Sequence, residues 1–99
     1  MRIGTTPTYT FKIPAEMCNM VKVKITFKQN GSVILEKYLK DCVLEKNIIK
    51  VRLTQEDTFL FSANASGEVQ LRMQLPDATT LASNIYTFAV EPCLDSEVL

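Results

Sequence analysis

Between residues 20 and 40 the chain alternates apolar and polar positions with a period of two. Val21, Val23, Ile25 and Phe27 interleave with Lys22, Lys24, Thr26 and Lys28. Such alternation sets one face in a core and the other in water, the pattern of a half-buried antiparallel strand. Gln29-Asn30-Gly31 comes next, and then a second strand-like run from Ser32-Val33 to Leu39, so the segment reads as a β-hairpin. A two-residue Asn30-Gly31 loop pairs Phe27 with Ile34 and Ile25 with Glu36, which buries a carboxylate. A three-residue Gln29-Asn30-Gly31 loop, with Gly31 in the left-handed position of a bulge, pairs Phe27 with Val33 and Ile25 with Leu35. It also sets Lys24 opposite Glu36 in solvent. Burying an unpaired charge costs more than one cross-strand pair gains, so the longer loop is expected.

Tyr9, Phe11 and Ile13 alternate with Thr8, Thr10 and Lys12, a first strand that stops at Pro14. Residues 15–19 connect it to the hairpin. A second hairpin turns at Lys46-Asn47, facing Leu44 to Ile49 and Cys42 to Val51 on the inside, and Val43 to Lys50 and Asp41 to Arg52 on the outside. This register makes Cys42 a buried core thiol. Thr54-Gln55-Glu56-Asp57 has the chemistry of a capped helical turn, a better account of Glu56 and Asp57 than an acid–base pair. Phe59 and Phe61 are expected to plug the core, and Ser62 to Gly67 to form a small polar loop. Val69, Leu71, Met73 and Leu75 make a long strand, and Pro76 to Thr80 a turn. Leu81 to Val90 returns with Tyr86, Phe88 and Val90 inside and a bulge near Asn84, because Ile85 falls out of phase.

Seven short strands, no amphipathic helix of useful length and no repeat imply an all-β protein. The expected fold is an antiparallel two-sheet sandwich, immunoglobulin-like in architecture, with a small β-barrel as the alternative. The B–F disulfide and core tryptophan of antibody domains are missing. The 99 residues make one domain, 1–99, with a short N-terminal leader and an acidic C-terminal tail over 93–99. A chain of this size hides roughly 60–65% of its unfolded surface, enough for a core without staples. Cys18, Cys42 and Cys93 are odd in number and widely spaced, which argues for reduced thiols. Residues 1–7 lack the apolar stretch of a signal peptide, and no apolar run approaches the roughly 20 residues that span a bilayer.

Candidate chemistry is sparse. There is no histidine, no metal-ligand spacing and no glycine-rich phosphate loop, so no catalytic centre, no cofactor and no metal are expected. Net charge is zero but lopsided: residues 1–52 hold ten of the eleven Lys+Arg and four of the eleven Asp+Glu. One account is a solvated surface. The other is a head-to-tail assembly in which a basic face meets an acidic one. Lys22, Lys24 and Lys28 form the candidate basic face. Without interleaved aromatics it does not suit nucleic acid. Beyond Pro92, Cys93 to Leu99 is acidic and ends in Val98-Leu99. It is either a frayed end or an arm that docks on a neighbour, drawn to those lysines. The first strand is an expected sheet edge with Lys12 as its protection, and a terminus of another copy could add to it.

The opening Arg2-Ile3-Gly4-Thr5-Thr6-Pro7-Thr8-Tyr9-Thr10-Phe11, the stretch Leu53-Thr54-Gln55-Glu56-Asp57 and the segment from Val69-Gln70-Leu71-Arg72 through Ala82-Ser83 resemble a family of small proteins. These are encoded in phages and prophages of Gram-positive, often gut-associated, bacteria, near structural genes. The resemblance runs nearly end to end and carries no functional residues. It implies a virion or tail-module β-sandwich, made in the bacterial cytoplasm and assembled into a particle. Partners would then be other phage structural proteins or further copies of this chain. The alternative is a stand-alone immunoglobulin-like module that binds a host protein or carbohydrate through its end loops. With no tryptophan and three tyrosines, the carbohydrate version lacks the usual stacking surface.

Overall fold

The computed structural model describes residues 1–13 and 21–99. Its elements are β1 (Thr8–Lys12), β2 (Lys22–Gln29), β3 (Ser32–Tyr38), β4 (Cys42–Glu45), β5 (Ile48–Arg52), α1 (Gln55–Phe59), β6 (Ser66–Gln74), β7 (Thr80–Ala82) and β8 (Tyr86–Ala89). A single 3-10 turn, Leu39–Asp41, joins β3 to β4. The strands form two antiparallel sheets, β1-β5-β4 and β3-β2-β6, with β7 and β8 both paired to the far side of β6. The fold is a two-sheet sandwich and not a closed barrel. Its connectivity is immunoglobulin-like, with β1 in the place of strand B. The small sheet then reads D-E-B and the large one C′-C-F-G, with α1 at the crossover between E and F. No strand A lies beside β1 among the described residues.

The core between the sheets is drawn from the predicted faces. Phe11, Ile13, Val23, Ile25, Phe27, Ile49, Val51, Leu53, Phe61, Val69, Leu71, Met73 and Val90 are buried. Phe27, wholly buried, contacts the rings of Tyr9, Phe61 and Phe88 at centroid separations of 5.4–6.3 Å. Edge-on aromatic contacts of this kind add about 0.5–1.5 kcal/mol each beyond the area they bury. Gly67 is what lets Phe88 in. The two are paired across β6 and β8, and a Cβ on Gly67 would lie 2.4 Å from the Phe88 ring.

The first hairpin departs from the expected register. Its loop is the two-residue Asn30-Gly31, with φ of 55° and 78°, and Gln29 pairs with Ser32. The three-residue loop fails because Gln29 is held in the strand. Its buried amide donates to the Ser62 carbonyl at 2.7 Å and accepts from the Ser62 N–H at 2.7 Å. Glu36 still avoids the core, through a different device. A register shift leaves Ile34 as an extra residue, so Phe27 pairs with Leu35, Ile25 with Lys37 and Thr26 with Glu36. The pairings Phe27–Val33, Ile25–Leu35 and Lys24–Glu36 are therefore wrong as ladder partners. Lys24 and Glu36 do meet diagonally, Nζ to Oε2 at 3.5 Å.

The second hairpin has the predicted ladder: Cys42 with Val51, Val43 with Lys50 and Leu44 with Ile49. Lys46 takes the positive φ, 49°. Asp41 lies outside the ladder, in the 3-10 turn, where its carboxylate accepts from the Tyr38 N–H at 3.0 Å. Because β4 is an edge strand, Cys42 is half-buried instead of fully inside, and Leu44 is exposed.

Three other expectations change in detail. Ser66 and Gly67 belong to β6, which shortens the polar loop. The final strand is interrupted at Ser83 to Ile85, giving eight strands in place of about seven. Ser83 takes over from the ladder: it accepts from Leu71 N–H at its hydroxyl and donates its own N–H to the Leu71 carbonyl. Tyr86, expected inside, is exposed where β8 forms the sheet edge. Cys18, with the rest of residues 14–20, lies outside the described residues.

Candidate functional site

The outer face of the large sheet carries the predicted lysines. Alternation along β2 puts Lys22, Lys24, Thr26 and Lys28 on this face while Val23, Ile25 and Phe27 go inside. The antiparallel partner β6 contributes Gln74, Arg72, Gln70 and Glu68 directly opposite them. Lys28 therefore faces Glu68, a compensated pair. Lys24 faces Arg72, and Lys22 is the next residue along. Two cations directly opposed on neighbouring strands destabilise a sheet. Glu36 reaches Lys24, but Arg72 is flanked in the ladder only by Lys24, Ala82 and uncharged or cationic diagonals.

Tyr38 completes this row from β3, opposite Lys24. Its hydroxyl donates to Glu36 Oε2 at 2.6 Å. That hydrogen bond, more than the nearby Lys24 charge, holds the Glu36 carboxyl below its ordinary range and raises the Tyr38 phenol. The same end of the sheet is hollowed into a groove of about 670 Å³, lined among others by Lys22, Lys24, Tyr38, Lys40, Arg72 and Thr80. The groove floor is largely apolar, with Val21, Val23, Leu39 and Met73, and the cations Lys22, Lys24, Lys40 and Arg72 stand around it. Its rim of cations suits contact with an anionic surface.

Charge is only partly sorted along the molecule. Lys22, Lys24, Lys40 and Arg72 gather where β2 begins, with Glu36 and Asp41 among them. The other end, where α1 packs, holds Glu56, Glu68 and Glu91 but cations too: Arg2 pairs with Glu91 at 2.7 Å, Lys28 faces Glu68, and Lys37 reaches Asp57 at 2.8 Å. The tail runs on from Glu91 and stays at this end, because Leu99 donates its N–H to Gln55 Oε1 at 2.8 Å and accepts from Gln55 Nε2 at 3.1 Å. The structure therefore brings Lys22 and Lys24 together, leaves Lys28 apart from them, and keeps Val98 and Leu99 away from all three within one chain. Arg72, Tyr38 and Lys40 are the members that sequence reading missed. Arg72 stands in phase with the outward residues of its strand, but only the sheet order shows that β6 adjoins β2.

Cys42, which the sequence places in the core, donates to the Tyr38 carbonyl at 3.2 Å. Burial first, and then the charge of Asp41, push its thiol up. A raised thiol is a poorer nucleophile at neutral pH. Among the described residues no group of three His, Cys, Asp or Glu is placed to hold a metal ion, and no helix is long and apolar enough to cross a membrane.

No protein-family model and no curated protein matches the chain. Among solved structures it is similar to Drosophila OTK, extracellular domains 3–5, at 17% identity and a TM-score of 0.38, over 92% of this chain and 30% of that one. The chain thus spans under a third of that structure's length.

Proposed function

We propose that this chain is a non-enzymatic assembly module that acts through protein–protein contacts, its cationic end seating on an acidic surface. The observation that supports this reading most directly is the Lys24–Arg72 pair. Opposed cations weaken the isolated sheet, and the second of them has no carboxylate beside it in the ladder. Charge held against the fold's own interest is charge directed outward. The carboxylates at the opposite end supply a complementary surface, so that head-to-tail contacts between copies, or onto a larger acidic protein, are favoured. Taken with the resemblance to phage and prophage proteins, the setting we propose is a tail or baseplate of a phage particle. The test is protein composition of purified particles from a culture induced for the encoding phage. The chain should be present in fixed stoichiometry, and Lys24→Glu with Arg72→Glu should remove it. Particles that lack the wild-type chain would refute the reading.

A further inference from the structure

No strand among the described residues lies on the free side of β1, which leaves a seam. On one side of the sandwich both sheets end, the small one at β1 and the large one at β8. Tyr9 and Phe11 of β1 meet Phe88 and Tyr86 of β8 there, at ring centroid separations of 5.6 and 6.4 Å. Between them runs a cleft of about 420 Å³ lined also by Val69, Leu71 and Ser83. Residues 1–3 cover only one end of this side, where Ile3 N–H donates to the Glu91 carbonyl and Glu91 N–H donates to the Met1 carbonyl.

The bonding phase of β1 follows from two flanking contacts. Leu53 donates to the Pro7 carbonyl and Ile13 donates to the Asn47 carbonyl. With the observed register, Tyr9 and Phe11 therefore spend their backbone groups on β5. Those of Thr8, Thr10 and Lys12 point away from it, and no strand among the described residues takes them up. An open edge with an apolar cleft beneath it is a template for an added strand.

We infer that this edge accepts the C-terminal tail of a second copy. The tail has the required pattern: Leu94, Ser96 and Val98 alternate with Asp95 and Glu97. Leu94 and Leu99 are 108% and 93% exposed, so their apolar surface has no partner within the chain. Run antiparallel to β1, the tail puts Val98 against Tyr9, Ser96 against Phe11 and Leu94 at Ile13. Glu97 then lies opposite Thr10 and Asp95 opposite Lys12, beside Lys50 and Arg52 of β5 on the same outer face. This direction also brings the donor's acidic tail to the acceptor's cationic end. The inference rests on the head-to-tail reading and gives it a mechanism. The exchange breaks the two Gln55–Leu99 bonds and replaces them with a ladder.

Sedimentation of the purified full-length chain tests it without any particle, so its failure is separable from failure of the particle assay. Full-length protein should form dimers or longer chains. Thr10→Pro blocks the edge without touching a β1–β5 bond, and deletion of residues 93–99 removes the donor. Each variant alone should be monomeric, and an equimolar mixture should form a heterodimer, one good edge meeting one good tail. Should Thr10→Pro fail to fold, a synthetic peptide of residues 92–99 added to the deletion variant should shift the amide resonances of Thr8, Thr10 and Lys12. Full-length protein that stays monomeric at its highest soluble concentration overturns the inference. So do variants that still associate, or a peptide that moves none of those three amides.

Discussion

Lys37 of β3 reaches Asp57 of α1, Nζ to Oδ2 at 2.8 Å, with both side chains largely hidden from water. The same carboxylate oxygen accepts the Thr54 N–H at 3.0 Å, and Asp57 N–H donates back to the Thr54 hydroxyl at 3.1 Å. One acidic group thus caps a helix and neutralises a lysine that the hairpin bulge turned inward. Burial pushes the Asp57 carboxyl up, but the bonds from Lys37 and Thr54 together outweigh it and hold it below the usual range. A lowered folded-state pKa stabilises above the ordinary aspartate value and is lost as pH falls through the folded one. Asp57→Asn should cost about 1–3 kcal/mol near neutral pH. The gap from wild type, read by urea unfolding, should shrink once pH drops below about 4. A gap that is constant with pH would contradict this.

Gly67→Ala should be costly although it adds one methyl group. The new Cβ would sit 2.4 Å from the Phe88 ring, which must move and open its contacts with Tyr9, Phe27 and Phe61. Overpacking of this kind costs about 1–3 kcal/mol. Pairing it with Phe88→Leu should recover part of the loss, as thermal unfolding would show.

Gln29→Ala removes both partners of the Ser62 backbone at a buried site. Unsatisfied buried groups cost about 1–3 kcal/mol. The expected loss falls in that range, and hydrogen exchange at the Ser62 amide should speed up more than at Leu71 in β6.

Arg72→Glu should stabilise the isolated domain, by about 0.2–1 kcal/mol, since it turns a repulsive cross-strand pair with Lys24 into an attractive one. The gain should fade in high salt, because the pair is exposed. If Arg72 serves an outside partner, the same substitution weakens that contact while the fold improves.

Thiol labelling should separate the two described cysteines. Cys93 is exposed, whereas Cys42 is half-buried, bonded to the Tyr38 carbonyl and raised in pKa. In a Cys18→Ser background, native-state modification of Cys93 should be much the faster. Equal rates would mean that β4 opens readily.

What the chain shows on its own is local and periodic. Alternation marked the inward faces of β1, β2 and β6, and Thr54 with Asp57 marked the helix start, because a pleat and a cap are set by neighbours in sequence. The Cys42–Val51 register was also legible, since a tight turn and side-chain phase constrain it together. The tertiary structure decided whatever depended on a distant partner. Ser62 kept Gln29 in its strand and so shortened the first loop, and the bulge that followed sent Lys37 inward to Asp57. The order of the sheets set Arg72 against Lys24, and β1 at an edge over an open cleft. Each of these is a contact between residues far apart in the chain, where packing and hydrogen bonding outweigh the local preference, and no period along the sequence records which strands become neighbours.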